Sequence, residues 1–345
     1  MESLVYGQTV GASGTLALAI ASAWAPPRPH ALRELFYPLD FFVKICYNKK
    51  DEKEKDPCKE RGKMSMNLIQ NQNFDAERAF YGCEDVRVEN CKFDGPADGE
   101  SAFKECRNIE VSECFFNLRY PFWHDVCAKI EKSEMTALCR APLWYSENIE
   151  ILDTKMHGTK ALRECSDVAI RNCDIISAEF GWMVSGIEMK DTSATGEYFM
   201  MRSEGLRFQN VNLTGKYSFQ YTTNSYFENC NFDTKDAFWH AKNVVLSNCT
   251  IKGEYLGWYC EDVTFINCKI IGTQPLCYCK GLKLVDCEML DADLCFEKSE
   301  VEATLTSAVV SIKNPRAGTI TVPECGEQIW DDPKAAGVVN VLNVK

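Results

Sequence analysis

The segment CEDVTFINCKI, residues 260–270, holds the pattern that decides the fold of this chain. Val263 and Phe265 are apolar, alternate with polar neighbours, and precede an Asn-Cys pair. The same phrase recurs, with conservative replacements, at residues 83–93 and 165–175. An apolar residue at every second position is typical of β-strands, because successive side chains of a strand point to opposite faces.

The phrase repeats along the chain with a step of 19 residues. Five cysteines share one grid with that step: Cys173, Cys230, Cys249, Cys268 and Cys287. We count about twelve copies between Asp75 and Thr306, weak ones included, which is the usual many-unit array of a solenoid.

Stacked copies of this unit predict a solenoid built from strands. Each unit offers two or three short strands joined by turns, and no unit has the spacing of an amphipathic helix. The sequence therefore predicts an all-β, single-stranded parallel β-helix of about twelve coils, spaced ~4.8 Å apart. A leucine-rich-repeat horseshoe is the alternative, because its repeats contain a similar phrase, but they are usually longer and lack this strand-rich second half.

Composition and charge exclude several classes of protein. Hydrophobic residues make up 46% of the 345 residues, enough for a large core, and the net charge is −12. Phosphate binding needs clustered Lys and Arg, so we expect no nucleic-acid partner. No apolar run reaches the ~20 residues of a membrane span, so we expect no membrane partner. The chain has no Walker loop, nucleophile elbow or H-E-x-x-H motif, and the sequence leaves the oligomeric state open.

The 19 cysteines are odd in number and many fall on the repeat. This is unlike the disulfide framework of a small secreted protein. We expect reduced thiols that pack as small apolar residues in an inward ladder of a cytoplasmic protein, with no disulfides. Asparagines that precede several of these cysteines predict a turn ladder whose side chains bond along the stack: Asn90, Asn172, Asn229, Asn248 and Asn267.

Both ends of the chain depart from the repeat. Residues 1–63 are predicted to be an N-terminal extension, either partly disordered or the product of a mis-assigned start, with Met64 or Met66 as the natural one. Alternatively, the extension caps the first coil, as solenoid ends require. Residues 64–306 form the predicted β-helix, and residues 307–345 a strand-rich C-terminal cap.

Four strings resemble a known family more specifically. They are YPFWHD (120–125), KALRE (160–164), DAFWH (236–240) and GEYLGWY (253–259). They are similar to the bacterial domain-of-unknown-function family 3737, which is grouped with pectin-lyase-like right-handed β-helices, and the resemblance extends from Met66 to about Asp332. It implies the fold and its right-handedness, and it supplies neither a reaction nor catalytic residues.

A column of large side chains recurs two residues before the cysteine-equivalent position of each unit. Alternation turns this column outward, and exposed aromatic surfaces of this kind usually bind something. Flat indole rings suit sugar rings, so we predict that an extended ligand, with carbohydrate favoured over protein, lies along the stripe and its neighbouring cations. The predicted ligand-binding residues are Arg119, Trp123, Arg140, Trp144, Lys160, Trp182, Arg202, Trp239 and Trp258. The alternative is a structural or oligomerisation scaffold, in which a loop, the N-terminal segment or a second copy covers the stripe.

Acid–base groups beside the stripe raise a second possibility, a polysaccharide lyase or glycoside hydrolase that acts on an acidic saccharide. Groups one or two coils apart would be ~5–10 Å apart, which spans the separations used by glycosidases. The candidate catalytic residues are His124, Asp125, Arg163, Glu164 and His240. Against this, the column Glu197, Lys216, Lys235 and Glu254 has the charge pattern of a surface ion-pair ladder.

Acidic residues also cluster in the first two coils. The same Asp-x-Glu turn occurs twice, as Asp75 and Glu77 and as Asp98 and Glu100. Four carboxylates on stacked turns could hold Ca²⁺, although such turns are more often simply solvated. No other cofactor is predicted.

Overall fold

The computed structural model describes Cys58 and residues 65–95 and 100–343. All of these residues belong to one compact unit, Pro57–Lys345. The predictions for the N-terminal extension, Cys58 apart, lie outside the described residues, as does the choice between Met64 and a later start.

The described residues form strands and turns throughout. The strands are β1 (Asn67–Gln70), β2 (Asn73–Phe74), β3 (Glu84–Glu89), β4 (Lys92–Phe93), β5 (Phe103–Lys104), β6 (Arg107–Ser112), β7 (Phe115–Phe116), β8 (Phe122–Trp123), β9 (Val126–Glu131), β10 (Glu134–Met135), β11 (Glu147–Leu152), β12 (Lys155–Met156), β13 (Ser166–Arg171), β14 (Asp174–Ile176), β15 (Ser185–Lys190), β16 (Ser193–Glu197), β17 (Glu204–Gln209), β18 (Asn212–Lys216), β19 (Thr223–Glu228), β20 (Asn231–Lys235), β21 (Lys242–Ser247), β22 (Thr250–Lys252), β23 (Glu261–Ile266), β24 (Lys269–Ile271), β25 (Leu282–Leu290), β26 (Glu300–Leu305), β27 (Val309–Lys313), β28 (Ala317–Val322), β29 (Cys325–Ile329) and β30 (Val338–Val341). Within this part of the chain, no helix is long and apolar enough to cross a membrane.

Equivalent strands of successive coils pair in parallel. The longer strands, such as β21 and β23, form a first wall, and the short strands that follow them, such as β22 and β24, form a second. Val244 lies opposite Val263 and Ile251 lies opposite Ile270, so the pairing register equals the 19-residue step. The chain is thus a right-handed parallel β-helix of about 14 turns, as predicted, and not a horseshoe.

The additional coils lie at the two ends of the array. Strand β1 precedes the first recognisable repeat and pairs with β3. Beyond the predicted boundary at residue 306, β28 pairs with β26, and β30 pairs with β28. These coils were missed because they lack the Cys-x-x-Val phrase and because the step varies, being 17 residues between Glu300 and Ala317.

The interior consists of columns of like side chains. Phenyl rings stack from coil to coil, with centroids 4.7 Å apart for Phe93 and Phe116 and 5.2 Å apart for Phe103 and Phe122. The cysteines form the predicted inward ladder: most are buried, and the thiol of Cys165 donates to the Leu143 carbonyl at 2.8 Å. Burial raises the pKa of Cys165 to about 12, so these thiols act as small apolar groups rather than as nucleophiles.

The asparagine turn ladder is also confirmed. The Asn90 amide donates to Oδ1 of Asn71 at 2.7 Å, and the Asn267 amide donates to Oδ1 of Asn248 at 2.8 Å. Asn90 has a φ of 47°, a left-handed conformation that asparagine tolerates better than most residues.

The expectation that no disulfide forms is wrong at one position. Cys58 is bonded to Cys127, with Cα atoms 5.8 Å apart. Cys127 is not on an inward column: it is half-buried at the start of β9, between Asn108 and Asn148 of the neighbouring coils. Its partner lies outside the repeat, so the spacing of the inward cysteines could not indicate this pair.

Candidate functional site

The candidate site lies on the third wall, the stretch between each second-wall strand and the next first-wall strand. In residues 160–164, alternate residues are left-handed, with φ of 60° at Lys160, 54° at Leu162 and 52° at Glu164. The Leu162 N–H donates to Pro142 of the preceding coil and the Glu164 N–H to Trp182 of the following coil. Each left-handed non-glycine residue costs roughly 1–2 kcal/mol, and these inter-coil bonds hold the wall in place. Equivalent side chains are therefore stacked directly above one another.

The first stack is the tryptophan column, which occupies the predicted stripe. Its members are half-buried: Trp123, Trp144, Arg163, Trp182, Met201, Gln220, Trp239 and Trp258. Ring centroids are 5.3 Å apart for Trp123 and Trp144, and 5.3 Å apart and parallel within 3° for Trp239 and Trp258.

Indole N–H groups of this column already donate hydrogen bonds to backbone carbonyls of the protein. The Trp144 Nε1–H donates to the Lys160 carbonyl at 2.6 Å, and the Trp239 Nε1–H to the Tyr255 carbonyl at 2.7 Å. Stacking along the axis also covers ring faces. The expectation that flat indole faces would be open to sugar rings is therefore corrected: mainly the edges of these rings remain accessible.

A second stack, the outer ring column, stands next to the tryptophan column and is more exposed. Its members are His124, Tyr145, Glu164, Met183, Arg202, Tyr221, His240, Tyr259 and Tyr278. Tyr221, His240, Tyr259 and Tyr278 form one continuous stack with centroid spacings of 4.8, 5.0 and 4.9 Å. The tyrosines of this column were not predicted as ligand-binding residues, although Tyr278 lies 19 residues after Tyr259 and follows the same step.

The candidate catalytic residues do not converge. His124 and Glu164 share the outer ring column two coils apart, about 10 Å, and His240 lies six coils from His124, about 29 Å. Asp125 is fully buried, and its carboxylate accepts the N–H groups of Cys106 at 2.8 Å and Trp123 at 3.1 Å. Burial raises the pKa of Asp125 to about 8. Asp125 is therefore not part of the candidate site, because its carboxylate oxygens face the interior.

The predicted cations of the third wall differ in whether they form ion pairs. Lys160 and Arg163 both contact Oε2 of Glu179, each at 3.1 Å. Arg119 pairs with Glu100 at 3.3 Å. Two others have no ion pair within the described ranges: Arg140 is exposed, and the Arg202 guanidinium lies 5.5 Å from the Tyr221 ring.

The acidic turns give the calcium prediction no support beyond the sequence. Asp98 lies outside the described residues, and Asp75 is exposed. Glu77 contacts Arg78 at 3.1 Å, and Glu100 is engaged by Arg119. In the part of the chain that the structure describes, no three metal-ligating side chains form a group. The surface ion-pair ladder, in contrast, is present, with Lys216–Glu197 at 3.2 Å and Lys235–Glu254 at 2.7 Å.

Several solved structures are similar to this chain at low identity. A double mutant of the periplasmic alginate epimerase AlgG is 12% identical, with 76% of this chain and 78% of that chain covered and a TM-score of 0.25. The A-module of the mannuronan C-5 epimerase AlgE4 from Azotobacter vinelandii is 10% identical, with coverages of 70% and 81% and a TM-score of 0.25. Tailspike protein 3 of bacteriophage CBA120 is 11% identical, with coverages of 69% and 51% and a TM-score of 0.27. At these scores the matches carry no argument for a shared activity.

Sequence comparison is more decisive. A search of the curated proteins returns no match. The family model described as "Protein of unknown function (DUF3737)" matches residues 67–341, from the first strand to the last. The chain therefore belongs to the DUF3737 family.

Proposed function

We propose that this protein binds an extended saccharide chain along its third wall, with the tryptophan column and the outer ring column as the contact surface. The observation that carries the proposal is the pair of adjacent, outward columns in step with the coils. Tyr221 and Tyr259 remain 44% and 42% exposed although their rings are stacked within the column. A polymer with a repeating unit suits a surface whose contacts repeat.

The chemistry of the surface suits sugar hydroxyl groups. Because stacking covers the ring faces, the outer ring column presents ring edges and tyrosine hydroxyls, and each hydroxyl can both donate and accept a hydrogen bond. The columns are fixed by stacking and by inter-coil hydrogen bonds, so little side-chain entropy is lost when a ligand binds. We propose no reaction, because Asp125 is buried and the other candidate acid and base groups, His124, Glu164 and His240, are about 10 Å or more apart.

Binding to oligosaccharides of increasing length tests the proposal. A glycan array that presents neutral and uronic-acid oligosaccharides selects the probe, and calorimetry then measures its affinity. We expect affinity to rise with oligomer length, because each added unit meets another coil. Replacement of Tyr221 and Tyr259 together by Ala should weaken binding about tenfold, since two contacts of roughly 0.5–1 kcal/mol are lost.

The matched control is Tyr226→Ala, because Tyr226 is a half-buried tyrosine on β19 of the first wall. It should bind as the wild type does. Failure of the wild type to bind any oligosaccharide, or equal loss in the control and the double variant, would overturn the proposal.

A further inference from the structure

Arg163 stands where most coils of the tryptophan column place an apolar or aromatic side chain. Its guanidinium carbon lies 4.7 Å from the Trp144 ring on one side and 4.7 Å from the Trp182 ring on the other. A guanidinium is planar and stacks on aromatic faces, which a lysine ammonium cannot do in the same way. The two indoles therefore hold a positive charge in a fixed plane and leave only 18% of the side chain exposed.

The hydrogen-bonding capacity of this guanidinium is largely unused. Its one hydrogen bond in the described part of the chain runs from Nη2 to Oε2 of Glu179. Its Nε–H is buried and finds no acceptor there, and leaving such a donor unpaired is unfavourable. A guanidinium has five N–H donors, so this arrangement is poor for stability alone.

The charges around Arg163 do not balance. Lys160 also contacts Oε2 of Glu179, so two cations share one carboxylate oxygen. These three side chains are 18–30% exposed, which lets the ion pairs act with less solvent screening than on an open surface. The cluster retains one net positive charge and can accept another anionic group.

We propose that Arg163 and Lys160 form a carboxylate-binding subsite for a uronic-acid unit, and that Glu179 occupies it until the ligand carboxylate displaces it. This inference rests on the proposed function and specifies the class of saccharide. A carboxylate matches the forked donors of a guanidinium, which can bind both of its oxygens. Glu164, an exposed carboxylate of the same coil, opposes the incoming charge and makes the subsite selective for ligands that also gain contacts along the wall.

Two variants separate ligand recognition from a structural role of the cluster. Glu179→Gln keeps the shape of the side chain and removes the competing charge, so a uronic-acid oligosaccharide should bind about tenfold more tightly. Arg163→Trp restores the residue type of the column and its stacking while it removes the charge, so the same ligand should bind at least about tenfold more weakly. Arg163→Lys is an additional control at the same position. It keeps the charge without the planar fork, and it should also weaken binding.

The probe is a uronic-acid oligosaccharide, and its methyl ester of equal length is the neutral control. Binding is measured by calorimetry on the full chain, with thermal unfolding as the check that each variant is folded. The subsite predicts that the acid binds more tightly than the ester and that the charge variants change affinity for the acid only.

The outcomes distinguish the two proposals. Equal affinities for acid and ester, unchanged in Glu179→Gln and Arg163→Lys, would overturn the subsite and leave saccharide binding intact. Absence of binding to both compounds, with no glycan selected on the array, would overturn both. A weaker acid affinity in Glu179→Gln would show that Glu179 positions Arg163 rather than competing with the ligand, which would also overturn the subsite.

Discussion

Two segments of the third wall share one backbone and differ in what their columns present. In the cationic segment, from Trp144 to Trp182, a guanidinium lies between two indoles. In the ring segment, from Tyr221 to Tyr278, imidazole and phenol rings stack directly on one another. The β-helix fixes the spacing of a column and not its chemistry: within the tryptophan column, Trp239 and Trp258 form a plain stack of rings, whereas Arg163 between Trp144 and Trp182 forms a charged clamp. Function then resides in the columns rather than in the fold.

This difference gives the wall a direction. A saccharide chain laid along it would meet the proposed carboxylate-binding subsite at one level and ring edges several coils further on. A polymer of alternating or patterned charge would therefore bind in one register. The coil that precedes Trp144 also contains the disulfide-bonded Cys127 and the buried Asp125, and the effects of both can be measured through stability.

The largest expected effect concerns the disulfide on the first-wall strand β9. Cys127 occupies a left-handed position, with a φ of 58°, between Asn108 and Asn148, so Cys127→Asn supplies the residue type of its neighbours. Loss of a cross-link across 69 residues should lower the free energy of unfolding by roughly 4 kcal/mol. Urea unfolding of the wild type with and without reductant measures this loss. The variant should be insensitive to reductant, and a wild type that is equally insensitive would show that the bond does not stabilise the protein.

The buried carboxyl of Asp125 gives the next effect. Burial raises its pKa to about 8, so the folded protein binds this proton more tightly than the unfolded chain, whose aspartate pKa is ~4. The carboxyl therefore lowers stability progressively as pH rises from about 4 towards 8, by up to ~1.4 kcal/mol per pH unit.

Asp125→Ser removes the carboxyl group and keeps one of its two hydrogen bonds, the one from the Cys106 N–H. The next coil places Ser146 at the equivalent position, where its Oγ accepts the Asp125 N–H, and a serine at position 125 could accept the Cys106 N–H in the same way. We expect the variant to gain ~2–3 kcal/mol relative to the wild type between pH 5 and pH 7. Chemical denaturation across that range measures the difference, and a difference that does not change with pH would contradict the prediction.

The sequence predicted the fold because its signals repeat. A coil with an atypical sequence does not obscure the pattern, because the other coils repeat it. The parallel β-helix, the inward cysteines and the asparagine ladder were therefore all predicted correctly. The terminal coils were missed because their strands still pair in parallel although their sequences lack the Cys-x-x-Val phrase. Strand β30, for example, pairs with β28 although it has no cysteine at all.

The candidate site was harder to predict because it depends on single positions. Alternation shows that Trp144 and Arg163 face outward, but not that their planes stack along the axis and cover each other. Asp125 follows His124 in sequence, and only the wall geometry shows that one is buried and the other exposed. The Cys58–Cys127 bond joins the repeat to a residue outside it, so no periodic signal could indicate it.

The stack of the ring segment should contribute measurably to stability. His240 lies against Tyr221 at 4.8 Å and Tyr259 at 5.0 Å, so His240→Ala removes two ring contacts. At roughly 0.5–1 kcal/mol for each contact, we expect a loss of about 1–2 kcal/mol in the free energy of unfolding. Met183→Ala is the control, since Met183 lies in the same column and is itself 42% exposed. Equal losses in the two variants would show that the rings are neighbours without mutual stabilisation.

The smallest effect is expected from the exposed ion pairs, and it sharpens the contrast with the Arg163 cluster. Lys235 and Glu254 are 2.7 Å apart but 44% and 49% exposed, whereas Arg163 and Glu179 are 3.1 Å apart and 18% and 26% exposed. Solvent screens the attraction between Lys235 and Glu254, and the entropy cost of ordering two long side chains offsets the rest. A short distance is therefore a poor guide to what this pair contributes to stability. Lys235→Met should leave the unfolding temperature unchanged at low and at high salt. Thermal unfolding at both salt concentrations measures this, and a salt-dependent loss in Lys235→Met would contradict the prediction.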